Sequence, residues 1–237
     1  MRKSPQSAFT LLEMMAVVAI IVVLAGLVLS VAGYATRKSS QARAAGEIKM
    51  LESGCENYKN ENGSYPREVP TTGSGATDRL SPRQHFTPTS TEYANASLFL
   101  YKELSGDKKG ASGSQPDGAP EDGEPRYLKD LDPRILNARR DTKTKAIIEV
   151  RGFQDPFGFP YGYSTAAAQA EQDFQRTLII WNTKRTGTPP QRPSGNEIPG
   201  FNSGSYDLWS TAGSNPTTAP ASPAAQELEW SKWIKNW

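Results

Sequence analysis

The chain opens with a long apolar run, and apolar residues then continue at helical spacing. Residues 14–36 carry no charged side chain and consist almost entirely of Ala, Val, Ile, Leu, Met and Gly. A helix needs about 20 such residues to cross the core of a bilayer. Beyond the run, apolar residues recur at intervals of three and four, which places them on one helix face: Ala44, Ile48, Leu51, Cys55 and Tyr58. The pattern predicts one long helix, apolar all round at its start and half-buried further on.

The sequence also predicts where this helix stops. No proline occurs between Pro5 and Pro66, so nothing interrupts a helix that begins near Phe9. Gly63 suits the left-handed position that follows a helix end, and Pro66 comes shortly after it. We therefore expect the helix to end between residues 60 and 62.

The sequence after the long helix predicts short helices and strands joined by long loops. Residues 67–90 are rich in Pro, Thr and Gly and predict irregular loop. Residues 95–104 predict a short helix capped at Thr91 or Asn95. Residues 106–125 have the composition of a mobile linker with too few apolar residues to pack.

Four stretches rich in β-branched and aromatic residues predict strands: 145–150, 161–164, 176–181 and 205–210. They suggest a small antiparallel sheet packed against the long helix. The expected fold class is therefore α+β, with a long N-terminal helix on a small antiparallel β-sheet and long loops.

Glu13 is a carboxylate at the edge of the apolar run, where no cationic side chain accompanies it in the sequence. A charge at such a place is costly and is by default a functional hypothesis. If a peptidase cut between Ala8 and Phe9, the new α-amine of Phe9 would precede Glu13 by four residues, about one helical turn. The carboxylate would then have a cation within reach.

Two other interpretations of the N-terminus remain open. A secretory signal peptide also begins with cations, here Arg2 and Lys3, and ends at small residues. The run is longer than the roughly 7–15 residues of such a peptide, which also carries no acid like Glu13. An uncleaved single-span anchor fits the length of the run but does not account for the glutamate.

The stretch SAFTLLEMMAVVAI, residues 7–20, resembles the class III signal of type IV pilins and type II secretion pseudopilins. The resemblance implies that a prepilin peptidase cuts before Phe9 and methylates its new amine, so that Glu13 becomes the fifth mature residue. Ala8 departs from the Gly that usually precedes the cut. Three later stretches resemble G-type pseudopilins: YKNENGSYP, QDPFGFPYGYS and YDLWSTAG. Phe157 stands where that family usually has Trp, and residues 166–203 form an insertion.

The resemblance implies a structural role, most like that of the major G-type pseudopilin. Its domains are a cleaved leader at 1–8, a transmembrane and polymerisation helix at 9–33, and a globular domain at 34–237 that continues the helix to about 62. The implied partners are further copies of the chain, the prepilin peptidase, the inner-membrane assembly platform and minor pseudopilins. We expect a single-pass inner-membrane protein with a cytoplasmic N-terminus and a periplasmic domain, which then enters a periplasmic or surface filament. A minor or type IV pilin and a membrane-anchored extracellular binding module remain as alternatives.

Composition excludes several other functions. The formal charge is +2, and Arg2 with Lys3 account for it, so a cleaved chain would be nearly neutral and unsuited to bind nucleic acid. Cys55 has no second cysteine for a disulfide, and we expect a buried apolar residue there rather than a reactive thiol. The single His85, on a loop where we expect it at the surface, leaves no histidine pair for zinc and weakens any Ser/His scheme. We expect no enzyme.

Calcium is the one cofactor that the resemblance raises, in the loop after β-strand residues 205–210. That loop, 210–216, has no carboxylate and none follows before Glu227, whereas Ca²⁺ prefers six to eight oxygen ligands, several of them charged. We therefore expect no metal, or a weak calcium site at most. The residues that such a site would have to use are Asp207, Ser210, Ser214, Asn215, Glu227 and Glu229.

Overall fold

The computed structural model describes residues 11–69, 75–109, 115–129, 131–194 and 197–237. It divides into two compact units, Met1–Ala42 and Arg43–Trp237. Helices and small antiparallel sheets both occur, so the α+β class is confirmed.

Helix α1 spans Leu11–Asn62. In the first unit the large apolar side chains described at 11–27 are mostly exposed, with Leu11 at 82% and Val18 at 58% of their full accessibility. By length and composition α1 could cross a membrane, and it alone among the described helices passes that test.

In the second unit α1 presents the predicted apolar face to the core. Ala44, Ile48, Leu51 and Cys55 are buried and Tyr58 is half-buried, which confirms the periodicity. The helix ends at Asn62. Gly63 follows with φ 76°, and its N–H donates to the carbonyl of Lys59 at 2.7 Å, the left-handed stop that glycine favours.

Two short helices follow. Helix α2, Ala76–Arg79, lies within the stretch that the sequence predicted as irregular loop. Helix α3, Thr91–Ser105, includes the predicted helix at 95–104 but begins four residues earlier, after Ser90. It packs against the second strand of the fold.

The strands form two separate sheets rather than the single sheet expected. Strands β1 (Leu136–Arg140) and β2 (Ile147–Phe153) make an antiparallel pair preceded by a 3₁₀ turn, Pro133–Ile135. The second sheet is antiparallel with the order β3-β4-β5, and its strands are Gly162–Ser164, Asp207–Ser210 and Ile234–Lys235.

The strand predicted at 176–181 is wrong. These residues belong to helix α4, Ala166–Lys184, which buries only Ala166 and Ala167. The stretch before them is rich in Ala, Gln and Glu, which favour helix, and this local preference extends through the short β-branched run. The helix stops where Arg185 adopts a left-handed conformation, φ 48°.

The segment predicted as a linker at 106–125 is tied to the core in the parts that are described. Asp107 is fully buried and its carboxylate accepts the hydroxyl of Tyr101 at 2.6 Å and the N–H of Gly118 at 2.7 Å. Composition missed this because a single buried carboxylate can hold a polar segment through backbone hydrogen bonds. Residues 110–114 lie outside the described ranges.

Two apolar clusters make up the core of the second unit. The larger joins α1, α3, β2, β3 and β4 around residues such as Leu51, Leu100 and Phe153. The smaller is mainly aromatic and includes Phe86, Trp209, Trp230 and Trp233. Helix α5, Pro223–Trp230, supplies one of these tryptophans.

Candidate functional site: the apolar helix and the motif loops

Glu13 lies in the first turn of α1. Its neighbours Leu12 and Met14 are exposed at 79% and 56%. A carboxylate near a helix N-terminus is favoured by the helix dipole. Ala8 and Phe9, the residues of the predicted cleavage and methylation site, lie outside the described residues, so their relation to Glu13 stays a prediction.

Two of the motif stretches meet in the second unit. The carboxylate of Asp155 accepts the N–H groups of Phe157 and Phe159 at 3.0 and 2.9 Å, which closes the Asp-Pro-Phe-Gly turn. Its other oxygen accepts the hydroxyl of Ser210 at 2.5 Å. Burial raises the pKa of Asp155, and the hydrogen bond from Ser210 opposes that rise. The turn and strand β4 are thus joined by one buried carboxylate.

A glycine and a tryptophan from the same two stretches are also in direct contact. Gly162 on β3 pairs with Trp209 on β4, and a Cβ added at Gly162 would overlap the indole ring. The indole N–H of Trp209 donates to the hydroxyl of Tyr93 at 2.8 Å. The two motif stretches, 154–164 and 206–213, therefore pack directly against each other.

The structure separates the six calcium candidates. Asp207 is buried, and its two oxygens accept the N–H groups of Phe201 and Asn202 at 2.8 and 2.9 Å. Burial raises the pKa of Asp207 to about 6, against these two hydrogen bonds. Asn215 and Glu227 are exposed.

Ser214 and Glu229 are the candidates that do meet. The hydroxyl of Ser214 donates to Oε1 of Glu229, and Nζ of Lys232 lies 2.7 Å from Oε2. Burial acts to raise the pKa of Glu229, but the hydrogen bonds from Lys232 and Ser214 outweigh it and the pKa is lowered. An ammonium group thus already contacts the oxygen of this carboxylate that Ser214 does not.

The candidate side chains by themselves do not supply the oxygen ligands that a calcium ion prefers. The oxygens of Asp207, Ser210 and Glu229 are already engaged by protein donors or acceptors. Thr211 adds one buried hydroxyl without a hydrogen-bond partner in the described structure, which is one oxygen against the six to eight that calcium prefers. Within the described ranges no three His, Cys, Asp or Glu side chains gather as a metal-binding group.

The described residues give little support for a catalytic site. His85 is half-buried rather than on the surface, and its Nδ1 accepts the N–H of Ser81 at 3.0 Å. A groove of about 680 Å³ runs along α4, with Glu171, Arg176 and the exposed Ile179 among its lining residues. Its lining contains no histidine or cysteine that could serve as a base or nucleophile.

Comparison with known proteins bears on the N-terminal segment first. The prokaryotic N-terminal methylation motif matches residues 3–29, a range that includes Ala8, Phe9 and Glu13. The type II secretion system core protein G of Aeromonas hydrophila is 41% identical over 66 residues, which cover 28% of this chain and 46% of that protein.

The resemblance to type IV pilin-like pseudopilins is confirmed. The match covers a little under half the length of this relative. No solved structure gives a significant match. The methylation motif overlaps the apolar part of α1, where residues 11–29 are helical.

Sequence reasoning missed several residues that organise the second unit. It treated Asp155 as part of a plain turn and did not single out Lys232 or Glu47. Lys232 lies just past the end of the C-terminal helix, three residues after Glu229, and this spacing was a signal for their ion pair. No local signal indicated that Asp155 would meet Ser210, which is 55 residues further along the chain.

Proposed function

We propose that the chain is a structural subunit of a type II secretion pseudopilus, and not an enzyme. The observation that carries the proposal is the methylation motif at residues 3–29 on a helix whose apolar side chains are exposed. Exposed apolar surface on this scale requires lipid or partner helices to cover it. When a subunit leaves the bilayer and enters a filament, partner helices replace lipid around this apolar surface.

The N-terminus would be processed before assembly. A prepilin peptidase cuts between Ala8 and Phe9 on the cytoplasmic side and methylates the new amine. Arg2 and Lys3 keep the leader cytoplasmic by the positive-inside rule, so the second unit is periplasmic. The inner-membrane assembly platform and minor pseudopilins are the further partners.

Glu13 sets the register of the filament. It pairs with the α-amine of Phe9, first within its own chain and then with the amine of a neighbouring subunit. Both charges lie where water is scarce, so each is costly alone and stable when paired. Contacts between near-uniform Val, Ile and Leu surfaces would not fix an axial step without such a pair.

Mass spectrometry of the protein from cells with the prepilin peptidase tests the processing. We expect a mature chain that begins at Phe9 and is heavier by one methyl group. A chain that begins at Met1, or near Ala35, would contradict the cleavage step. A start at Met1 would favour the membrane-anchored binding module.

Glu13→Leu tests assembly. The variant should insert and be cleaved as the wild type is, because the apolar segment only becomes more apolar. It should fail to form filaments or support secretion with the assembly machinery present. Glu227→Leu, which removes an exposed glutamate of the second unit, is the matched control and should assemble. Normal assembly of Glu13→Leu would exclude the register mechanism.

A further inference from the structure

The loop Thr211–Pro216, which follows β4, has a backbone that needs external support. The N–H of Ser214 donates to the carbonyl of Thr211 at 2.9 Å, and the two residues between them have positive φ, 51° for Ala212 and 84° for Gly213. This is the pattern of a type I′ turn. A left-handed alanine is disfavoured, by about 1–2 kcal/mol in general, so neighbouring contacts must hold the loop in place.

Three side chains provide those contacts. Ser210 accepts the N–H of Ala212 at 3.0 Å, and Thr87 donates to the carbonyl of Pro216 at 2.9 Å. The third contact is the hydrogen bond from Ser214 to Glu229 on α5. This hydrogen bond connects the loop to the C-terminal helix.

Glu229 is a buried acid that depends on its cation. Its side chain is 8% exposed, whereas that of Lys232 is 47% exposed and lies 2.7 Å away. A buried carboxylate is stable only when its charge is paired and its oxygens accept hydrogen bonds. Here one oxygen accepts the loop hydroxyl and the other faces the ammonium, so the lysine supports the loop through the glutamate.

We propose that Lys232 supplies the positive charge that fastens loop 211–216 to α5, so that the loop closes without a metal ion. The ammonium neutralises Glu229, and Glu229 holds Ser214. Lys232 therefore acts as a positioning residue within the fold. The inference concerns the folding of the second unit and does not depend on filament assembly.

Hydrogen exchange of the full chain in detergent micelles tests whether Lys232 holds the loop in place. The Ser214 amide is protected by its bond to Thr211 and should exchange about tenfold faster in Lys232→Met, because the buried carboxylate loses its partner and the loop opens more often. Lys232→Arg keeps the charge and should retain most of the protection. Lys143→Met, which removes a lysine from the β1–β2 turn, is the control and should exchange at the wild-type rate.

A double variant tests the charge compensation between Glu229 and Lys232, and added calcium tests whether the loop binds a metal ion. Glu229→Gln combined with Lys232→Met should be less perturbed than the sum of the single variants, because no uncompensated charge remains. Wild-type exchange and melting temperature should not change between a chelator and millimolar CaCl₂. Protection of Ser214 by calcium, or wild-type exchange in Lys232→Met, would overturn the proposal.

Discussion

The hydroxyl of Tyr161 donates to Oε2 of Glu47 at 2.7 Å and thereby joins the motif stretch at 154–164 to helix α1, 114 residues earlier. Tyr161 is fully buried. Glu47 also accepts Nε of Arg43 at 2.6 Å. The hydrogen bond therefore connects the long helix to the start of β3 through a charged acceptor.

Tyr161→Phe should lower the free energy of unfolding by about 1.5–3 kcal/mol, the usual contribution of a hydrogen bond to a charged group. Chemical denaturation of the full chain measures it. Tyr34→Phe is the matched control, because Tyr34 is 66% exposed and its contact with Lys38 involves the ring. Equal stability of the two variants would show that the hydroxyl contributes nothing.

Gly162→Ala should destabilise the chain by about 3 kcal/mol or prevent folding, because its Cβ would overlap the Trp209 indole. That ring belongs to the core and is fully buried. Gly204→Ala has open space around its Cβ and should change stability by less than about 0.5 kcal/mol. Yield and unfolding midpoint compare the two. A well-folded Gly162→Ala protein would contradict the packing of β3 on β4.

Asp107 should make stability depend on pH. Burial raises its pKa above the ordinary value of 3.8, against hydrogen bonds from Tyr101 and Gly118. The folded chain therefore holds this proton more tightly than the unfolded chain. The resulting stabilisation is complete below pH 3.8 and is lost as the pH rises through the folded pKa.

Asp107→Asn removes this titration. Denaturation at several values between pH 4 and 7 should show the wild type gaining stability relative to the variant as the pH falls. A difference that stays constant over this range, or that grows in the opposite direction, would show that Asp107 does not titrate in this way.

Cys55 should be inert in the folded protein. It is fully buried, and burial raises the pKa of its thiol well above the ordinary value. The thiolate is the reactive form, so a thiol reagent should modify Cys55 only after denaturant is added. Rapid modification of the native protein would indicate local opening of the core between α1 and β3.

The sequence by itself determined the features that depend on local pattern. The length of the apolar run predicted the exposed start of α1, and spacings of three and four predicted its buried face from Ala44 to Cys55. Gly63 predicted the helix stop. These signals are local because helical periodicity and glycine conformation depend on residues within one or two turns.

Only the tertiary structure decided which distant side chains meet. Asp155 with Ser210, Asp107 with Gly118 and Glu229 with Ser214 connect segments that carry no local sign of their partners. The prediction of a strand at 176–181 is wrong for a related reason, since short apolar runs suit either helix or strand and their surroundings decide. A buried carboxylate is stabilised by hydrogen-bond donors that the fold brings close to it. Spacing along the chain does not show which donors these will be.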